Sequence, residues 1–138
     1  MTGLRLASLL AAATLLTAAS GAAHATTVPA PPPDAGTARL LLTVEGSGST
    51  WIRGLRLDCP PDTSPPSHHP YAREACAEVS AAEGDFDALA GAPRPCAFVY
   101  DPVTAKARGT YGGSEVAWTR TFPNSCALEA ATGHVFRF

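Results

Sequence analysis

The side chains that could perform catalysis are scattered through the sequence without a recognisable arrangement. Serine, histidine and aspartate are all present, so a hydrolytic triad could be assembled on paper. However, the sequence lacks the G-x-S-x-G turn, the phosphate-binding loop, the dinucleotide fingerprint and the H-E-x-x-H zinc motif. His68 and His69 lie in a proline-rich stretch, and His134 alternates with aromatic residues. We therefore expect no enzyme, and a small secreted hydrolase is kept only as an alternative.

The cysteines are the next residues with chemistry of their own, and they are Cys59, Cys76, Cys96 and Cys126. An even number of cysteines in an exported domain of this size favours two disulfides, and spacing alone leaves three pairings open. Zinc is the alternative, but the sequence has no C-x2-C pair, and the histidines between the first two cysteines lack ligand spacing. We expect disulfides, no metal and no cofactor.

One short segment has the features of a loop that a protease could bind. Residues 93–102 read Pro-Arg-Pro-Cys-Ala-Phe-Val-Tyr-Asp-Pro, so Phe98 follows Cys96 by two positions between proline-stiffened flanks. A protease binds its substrate in an extended conformation and inserts the side chain before the scissile bond into a pocket. A loop held in that shape before binding loses little conformational entropy on docking. Aromatic residues beside cysteines are also common in protein cores, so the pattern alone leaves both interpretations open.

The N-terminal region predicts export of a single domain. A positive charge, a short apolar run and a small-x-small site ending at Ala25 indicate a signal peptide over residues 1–25. Residues 26–37 form a flexible proline-rich arm, and residues 38–138 form the domain. The formal net charge is −2, and the basic residues are dispersed, so we expect neither nucleic acid nor membrane as a partner. The protein is expected to be secreted.

Apolar periodicity predicts strands and a helix that could position the loop. Residues 39–45 and 51–58 predict a hairpin closed by a Gly-Ser turn. Pro70 suits the first position of a helix whose apolar stripe extends to Ala82. Asp85 could cap a short second turn after the stop at Gly84.

The second half of the chain predicts further strands. Residues 97–100 continue an extended run. Val116, Trp118 and Phe122 recur at a period of two, as do His134, Phe136 and Phe138, and both segments are predicted to be strands with one buried face. Strands joined by tight turns, with helices grouped in one insertion, favour an α+β antiparallel sheet that is covered on one face.

Several short motifs follow one another in a characteristic order and spacing. They are Leu57-x-Cys59-Pro60, His69-Pro70, Ala75-Cys76-Ala77-Glu78, Gly84-Asp85, Cys96-x-x-Val99-Tyr100-Asp101-Pro102, Phe122-x-Asn124-x-Cys126 and Val135-Phe136-x-Phe138. From the first strand to the C terminus, the chain resembles the Streptomyces subtilisin inhibitor family. The resemblance implies a sheet of about five strands with two helices on one side. It also implies the disulfides Cys59–Cys76 and Cys96–Cys126, and a homodimer that associates through its sheets.

The resemblance further implies a function and a site. The chain would inhibit subtilisin-like serine proteases, and also chymotrypsin-like ones, by substrate-like binding of the reactive bond Phe98–Val99. Asn124 matches an asparagine that braces the reactive loop. The residues that flank the reactive bond are Pro95, Cys96, Ala97, Tyr100 and Asp101. The alternative is a secreted, disulfide-bonded binding or structural module without inhibitory activity, since a shared fold does not by itself confer function.

The sequence departs from the family pattern at positions close to the reactive bond. Ala97 stands where the family often has proline, which leaves one more flexible bond in the loop. Phe98 stands where methionine or a basic residue is familiar, and Pro123 replaces a commoner small polar residue. These differences bear on target preference and affinity more than on the class of protein.

Overall fold

The computed structural model describes residues 36–61 and 67–138. The predicted signal peptide, all but the last two residues of the proline-rich arm, and residues 62–66 of the proline-rich loop lie outside the described residues. The elements in chain order are β1 (Ala38–Gly46), β2 (Ile52–Cys59), α1 (Ala72–Ala81), β3 (Val103–Tyr111), β4 (Ser114–Phe122) and α2 (Ser125–Thr132). In the described part of the chain, no helix is long and apolar enough to cross a membrane.

The strands form one antiparallel sheet in the order β2-β1-β3-β4. Two hairpins, β1–β2 and β3–β4, lie side by side, and β1 and β3 are the central strands. In the register, Leu42 of β1 lies opposite Leu55 of β2 and Ala107 of β3. The end of β1 therefore lies beside the beginning of β3, which places the chain that leads into β3 at that end of the sheet.

One face of the sheet is buried and the other is exposed. Along β1, Leu40, Leu42 and Val44 are buried, while Arg39 and Leu41 point to the opposite face, which we call the outer face. Strand side chains alternate between faces, so this pattern needs a cover on one side only. The helices provide it, because Ala75 and Val79 of α1 and Leu128 of α2 belong to the same core cluster. The α+β class and the single covered face are confirmed.

The predicted hairpin and the first helix agree with the structure. A short 3₁₀ turn over Ser47–Ser49 closes the hairpin, and the buried residues of α1 fall on the predicted apolar stripe. A second 3₁₀ turn covers Phe86–Ala88, and the Asp85 carboxylate accepts a hydrogen bond from the Asp87 N–H at 2.9 Å. Asp85 is therefore the N-cap of this turn, because its carboxylate accepts a hydrogen bond from a backbone N–H that has no partner within the turn.

The described residues form four strands rather than five, and the prediction of a strand at 97–100 was wrong. That segment is not part of the sheet, and the strand begins only at Val103, after Pro102. The inward positions of β3 are filled by small residues such as Ala105 and Ala107, which give a weak apolar signal although both are fully buried. The large residues at 97–100 were therefore mistaken for the strand that follows them.

The strand predicted at 134–138 was also wrong, as was the grouping of the helices in one insertion. Helix α2 follows β4 and ends at Thr132, and the next residue, Gly133, has a φ of 62°, in the region that favours glycine. Val135 and Phe136, which are neighbours, are both buried. The backbone turns there, because Val135 N–H donates to the Thr132 carbonyl and Arg137 N–H donates to the His134 carbonyl.

A buried histidine ties this C-terminal segment to the start of α1. The His69 Nδ1 atom accepts from the Tyr71 N–H at 3.0 Å, so the proton lies on Nε2, which donates to the Val135 carbonyl at 3.0 Å. Burial lowers the pKa of His69 below its ordinary value of 6.5, against the opposing effect of the hydrogen bond to Val135. The nearby His134 also lowers this pKa, whereas Glu78 and Glu74 raise it.

Protonation of His69 should make the domain less stable in acid. The unfolded chain takes up this proton near pH 6.5, whereas the folded chain resists it until a lower pH. The free energy of unfolding should therefore hold above pH 6.5 and fall below it, by at most about 1.4 kcal/mol per pH unit for one proton. Urea titrations from pH 7.5 to 4.5 measure this dependence. The free energy of unfolding of His69→Gln should be lower than that of the parent at every pH, but its decrease with falling pH should lack the contribution of this proton.

The neighbouring His68 provides the matched control, because its side chain is exposed. His68→Gln should retain the parent slope. A full parent slope in His69→Gln would contradict the assignment of the acid sensitivity to His69.

Candidate functional site

Residues 91–101, which we call the exposed loop, place large apolar side chains in solvent. Phe98 is fully exposed, Val99 is 62% exposed and Tyr100 is 81% exposed. A run of exposed apolar side chains of this size is unusual on a soluble domain and typically marks a contact surface. The exposed loop is therefore the first candidate for a site.

The first half of the exposed loop is attached to α2 by three different contacts. The Ala92 N–H donates to the Ala130 carbonyl at 2.9 Å. Arg94 Nη2 lies 2.8 Å from Glu129 Oε2, in a partly exposed ion pair. Cys96 is joined to the helix by the disulfide with Cys126. The backbone also passes so close to the helix at Gly91 that a Cβ atom there would overlap the Ala130 carbonyl.

The second half of the exposed loop is attached to the segment between β4 and α2. The Asp101 N–H donates to the Pro123 carbonyl at 3.0 Å, just before the chain enters β3. In the β3–β4 pairing the last regular pair is Val103 and Phe122. The Asp101–Pro123 hydrogen bond lies just beyond this pair and extends the contact between the two chain segments outside the regular register. Phe98 and Val99 thus span the gap between two anchored ends.

The Asn124 side chain connects the middle of the exposed loop to the first turn of α2. Its Nδ2 donates to the Val99 carbonyl at 2.7 Å and, less closely, to the Ala97 carbonyl at 3.4 Å. Its Oδ1 accepts from the Ala127 N–H at 2.8 Å, which caps the helix. The two bonded carbonyls lie immediately before and after Phe98, so the amide supports the backbone on both sides of that residue.

The structure brings together the residues that the sequence singled out. The groove beneath the exposed loop is lined by Cys96, Ala97, Phe98, Val99, Tyr100, Pro123, Asn124 and Ala127. The other disulfide, Cys59–Cys76, joins β2 to α1 away from this groove. Both disulfides have the pairing that the resemblance implies. The groups that line this groove are an amide, a disulfide and mainly apolar side chains, an arrangement that can hold and present a backbone.

Sequence reasoning missed the attachment of Arg94 and Ala92 to α2. Cys126, Glu129 and Ala130 are spaced three and four residues apart, which places them on one helix face. Had residues 125–132 been recognised as a helix, this spacing would have indicated that the disulfide, the ion pair and the backbone bond share a face.

Comparisons with known proteins find a matching family and similar chains that are described as subtilisin inhibitors or as similar to them. Residues 36–124 match the family described as subtilisin inhibitor-like. Subtilisin inhibitor-like protein 5 of Streptomyces fradiae is 42% identical over 91 residues, which cover 65% of this chain and 83% of that protein. The subtilisin inhibitor of Streptomyces albogriseolus is 38% identical over 124 residues, which cover 86% of this chain and 85% of that protein.

A solved structure is similar as well. The crystal structure of Streptomyces caespitosus sermetstatin in complex with Bacillus licheniformis subtilisin contains a chain with a TM-score of 0.60 and 33% sequence identity. The match covers 75% of this chain and 100% of that chain.

The contacts of Asn124 predict how the exposed loop responds to a protease. Asn124→Asp keeps an oxygen that can cap α2 but removes the donors to Val99 and Ala97. Each lost bond should be worth about 0.5–1.5 kcal/mol, so cleavage at Phe98–Val99 should become several-fold faster. Incubation with a small amount of subtilisin, followed by mass spectrometry, measures the rate.

Asn124→Ala is the companion variant, since it loses both the cap and the donors. It should be less stable than Asn124→Asp in thermal unfolding, yet be cut as readily. Equal cleavage rates in parent and folded Asn124→Asp would show that the side chain acts as a helix cap alone.

Proposed function

The chain belongs to the subtilisin inhibitor-like family, and from that premise we propose that it inhibits subtilisin-like serine proteases through the reactive bond Phe98–Val99. It acts as a protease inhibitor and not as an enzyme. The observation that carries the assignment of the bond is the fully exposed Phe98 between two carbonyls held by Asn124. An exposed side chain on a backbone supported on both sides can be offered to a protease as a substrate is.

Binding would begin with Phe98 entering the primary specificity pocket of the protease. Burial of a side chain of this size contributes about 1.5–3 kcal/mol. The backbone on either side would pair with the enzyme as an added strand. The exposed loop is already attached at Ala92, Cys96 and Asp101, so little conformational entropy is lost on docking.

The anchored ends also explain why the bond would survive attack. When the protease serine attacks the Phe98 carbonyl, the peptide bond breaks and the Val99 nitrogen receives a proton as the leaving amine. That amine cannot diffuse away, because Asn124 holds the Val99 carbonyl and the Asp101 N–H is bonded to Pro123. A tethered amine has a high effective concentration at the acyl group, so the bond re-forms in competition with hydrolysis.

We also propose that the inhibitor acts outside the cell. The signal peptide over residues 1–25 would direct the inhibitor out of the cell, where its target proteases and its disulfides would both be found. The aromatic side chain of Phe98 suits the apolar pocket of chymotrypsin-like proteases as well as subtilisin-like ones.

A homodimer through the outer face of the sheet is part of the proposal. Leu41 is 49% exposed at the centre of this face, opposite Arg56 on one neighbouring strand and Arg108 on the other. Around it lies the ion pair Lys106–Glu45. A two-fold axis through such a face would bring each Leu41 onto its copy and cover an apolar side chain that this domain leaves in water.

The specificity of the inhibitor should follow the chemistry of Phe98. Phe98→Lys should weaken inhibition of subtilisin and chymotrypsin and strengthen inhibition of trypsin, whose pocket contains a buried acid. Inhibition constants against the three enzymes measure the change. Val99→Thr alters the other side of the bond and should leave the order of preference unchanged. If Phe98→Lys left all three constants unaltered, Phe98 would not be the residue in the pocket.

The dimer should depend on Leu41. Leu41→Asp would replace the apolar contact across the two-fold axis by two charged carboxylates that must lose water on association, so the dimer should dissociate at micromolar concentrations. Light scattering coupled to size exclusion gives the mass. Ser80→Asp, on the exposed side of α1, adds the same charge away from the outer face and should remain a dimer. A Leu41→Asp dimer as tight as the parent would contradict this interface.

A further inference from the structure

Exposed apolar side chains other than Leu41 gather at one end of the sheet. The large hydrophobic residues that stand in solvent, within the described ranges, are Leu41, Trp51, Ile52, Phe98, Val99 and Tyr100. Leu41 lies on the outer face, and the last three belong to the exposed loop. Trp51 and Ile52, which have no role in the contacts described above, stand where the first hairpin turns back into β2.

The sheet register places this turn at the same end as the exposed loop. The Gly46 N–H donates to the Trp51 carbonyl at 3.0 Å, and Gly46 lies opposite Val103 on β3. Two strand spacings, roughly 10 Å, separate Trp51 from Val103, and the four residues back to Val99 add at most roughly 13 Å, their length if fully extended. Trp51 and Val99 therefore lie within about 23 Å, whereas a round patch of about 800 Å², the standard area per partner, is about 32 Å across.

Trp51 is held in place rather than loosely exposed. Its indole lies against the backbone of Gly46, where a Cβ atom would overlap the ring. The Arg53 guanidinium lies 4.9 Å from the ring centroid, in a cation–π contact. Trp51 is still 36% exposed, and the β-branched Ile52 beside it is 64% exposed. A stiff aromatic side chain with a free surface loses little entropy on binding, as residues that dominate protein interfaces do.

We propose that Trp51 and Ile52 form a second contact surface for the target protease, next to the reactive bond. The proposal rests on the proposed function, because the same protease that takes Phe98 would cover the hairpin end. The surface is apolar, so it fits an apolar rim of the protease outside its substrate cleft. Proteases that share the same specificity pocket differ in the surface around the substrate cleft. This contact would therefore discriminate among target proteases to which Phe98 alone would bind equally well.

A second copy of the chain is the other occupant to consider. Ile52 lies opposite Glu45 and so shares the outer face with Leu41. Trp51 lies opposite Gly46 on the buried side of the sheet, together with Val103. Trp51 is thus on the side of the sheet away from the dimer face, which favours the protease as its occupant. Ile52 reaches the same end of the sheet from the outer face, so its substitution is the one that also tests for a second copy.

The test compares full-length mature proteins against subtilisin. Trp51→Ala should raise the inhibition constant about tenfold and Ile52→Thr several-fold, mainly through faster dissociation. Ile52→Thr keeps a β-branched residue in the strand, so it reports on contact even if Trp51→Ala loosens the hairpin. Ser80→Ala, on the exposed side of α1, is the control and should match the parent.

Hydroxyl-radical footprinting gives an independent measurement on the parent protein. Trp51 and Ile52 should be oxidised more slowly in the protease complex than in the free inhibitor, while Leu41 should be oxidised equally in both. Equal oxidation of Trp51 and Ile52 in both states, or inhibition constants within about twofold of the parent, would overturn the second contact surface.

The remaining outcomes separate this proposal from the proposed function. Variants that become monomeric with unchanged inhibition would place the hairpin end between copies and overturn its role toward the protease. A parent that inhibits subtilisin, with variants that match it, refutes only the second surface. A parent that does not inhibit subtilisin refutes the proposed function, and the second surface falls with it.

Discussion

The amide of Asn124 is the interaction on which the rest of the site depends. Its Oδ1 is committed to the Ala127 N–H at the first turn of α2, and this bond fixes the plane of the amide. Nδ2 is then aimed at the Val99 and Ala97 carbonyls without any further adjustment. The side chain thus transmits the position of a packed helix to an exposed backbone. An aspartate could cap the helix equally well but has no donor for the loop.

The helix can serve as this reference because the core fixes it. Leu128 of α2 is buried in the same cluster as the inner residues of the central strands. A domain of about 100 residues buries a smaller fraction of its surface than a large one, so disulfides supply stability that a small hydrophobic core does not. Cys59–Cys76 holds α1 to the sheet, and Cys96–Cys126 holds the exposed loop to α2. The loop can therefore expose large apolar side chains without collapsing onto the surface.

The elements with strong periodicity were predictable, and those with small or misleading side chains were not. The first hairpin and α1 follow from alternating and helical spacing, and Asp85 was correctly chosen as a cap. The strand β3 was not predicted, because its inward residues Ala105 and Ala107 are only weakly apolar. Its backbone pairing to β1 and β4 defines it in the structure. The alternation of residues 134–138 predicted a strand, but Gly133 turns the chain there. The proposal of Phe98–Val99 as the reactive bond came from the family resemblance, since no spacing rule separates such a loop from a core segment.

The two sides of the proposed reactive bond are held by different forces, and the difference suits the roles that the proposal gives them. On the Val99 side, the short bond from Asn124 and the bond from Asp101 to Pro123 are both hydrogen bonds that position the amine after cleavage. On the Phe98 side, the Asn124 contact to Ala97 is long, and Ala97 lacks the stiffness that a proline would give. The Cys96–Cys126 disulfide lies one residue further back and limits how far that half can move. A covalent link therefore restrains the half that would stay on the enzyme, while hydrogen bonds keep the leaving amine within reach.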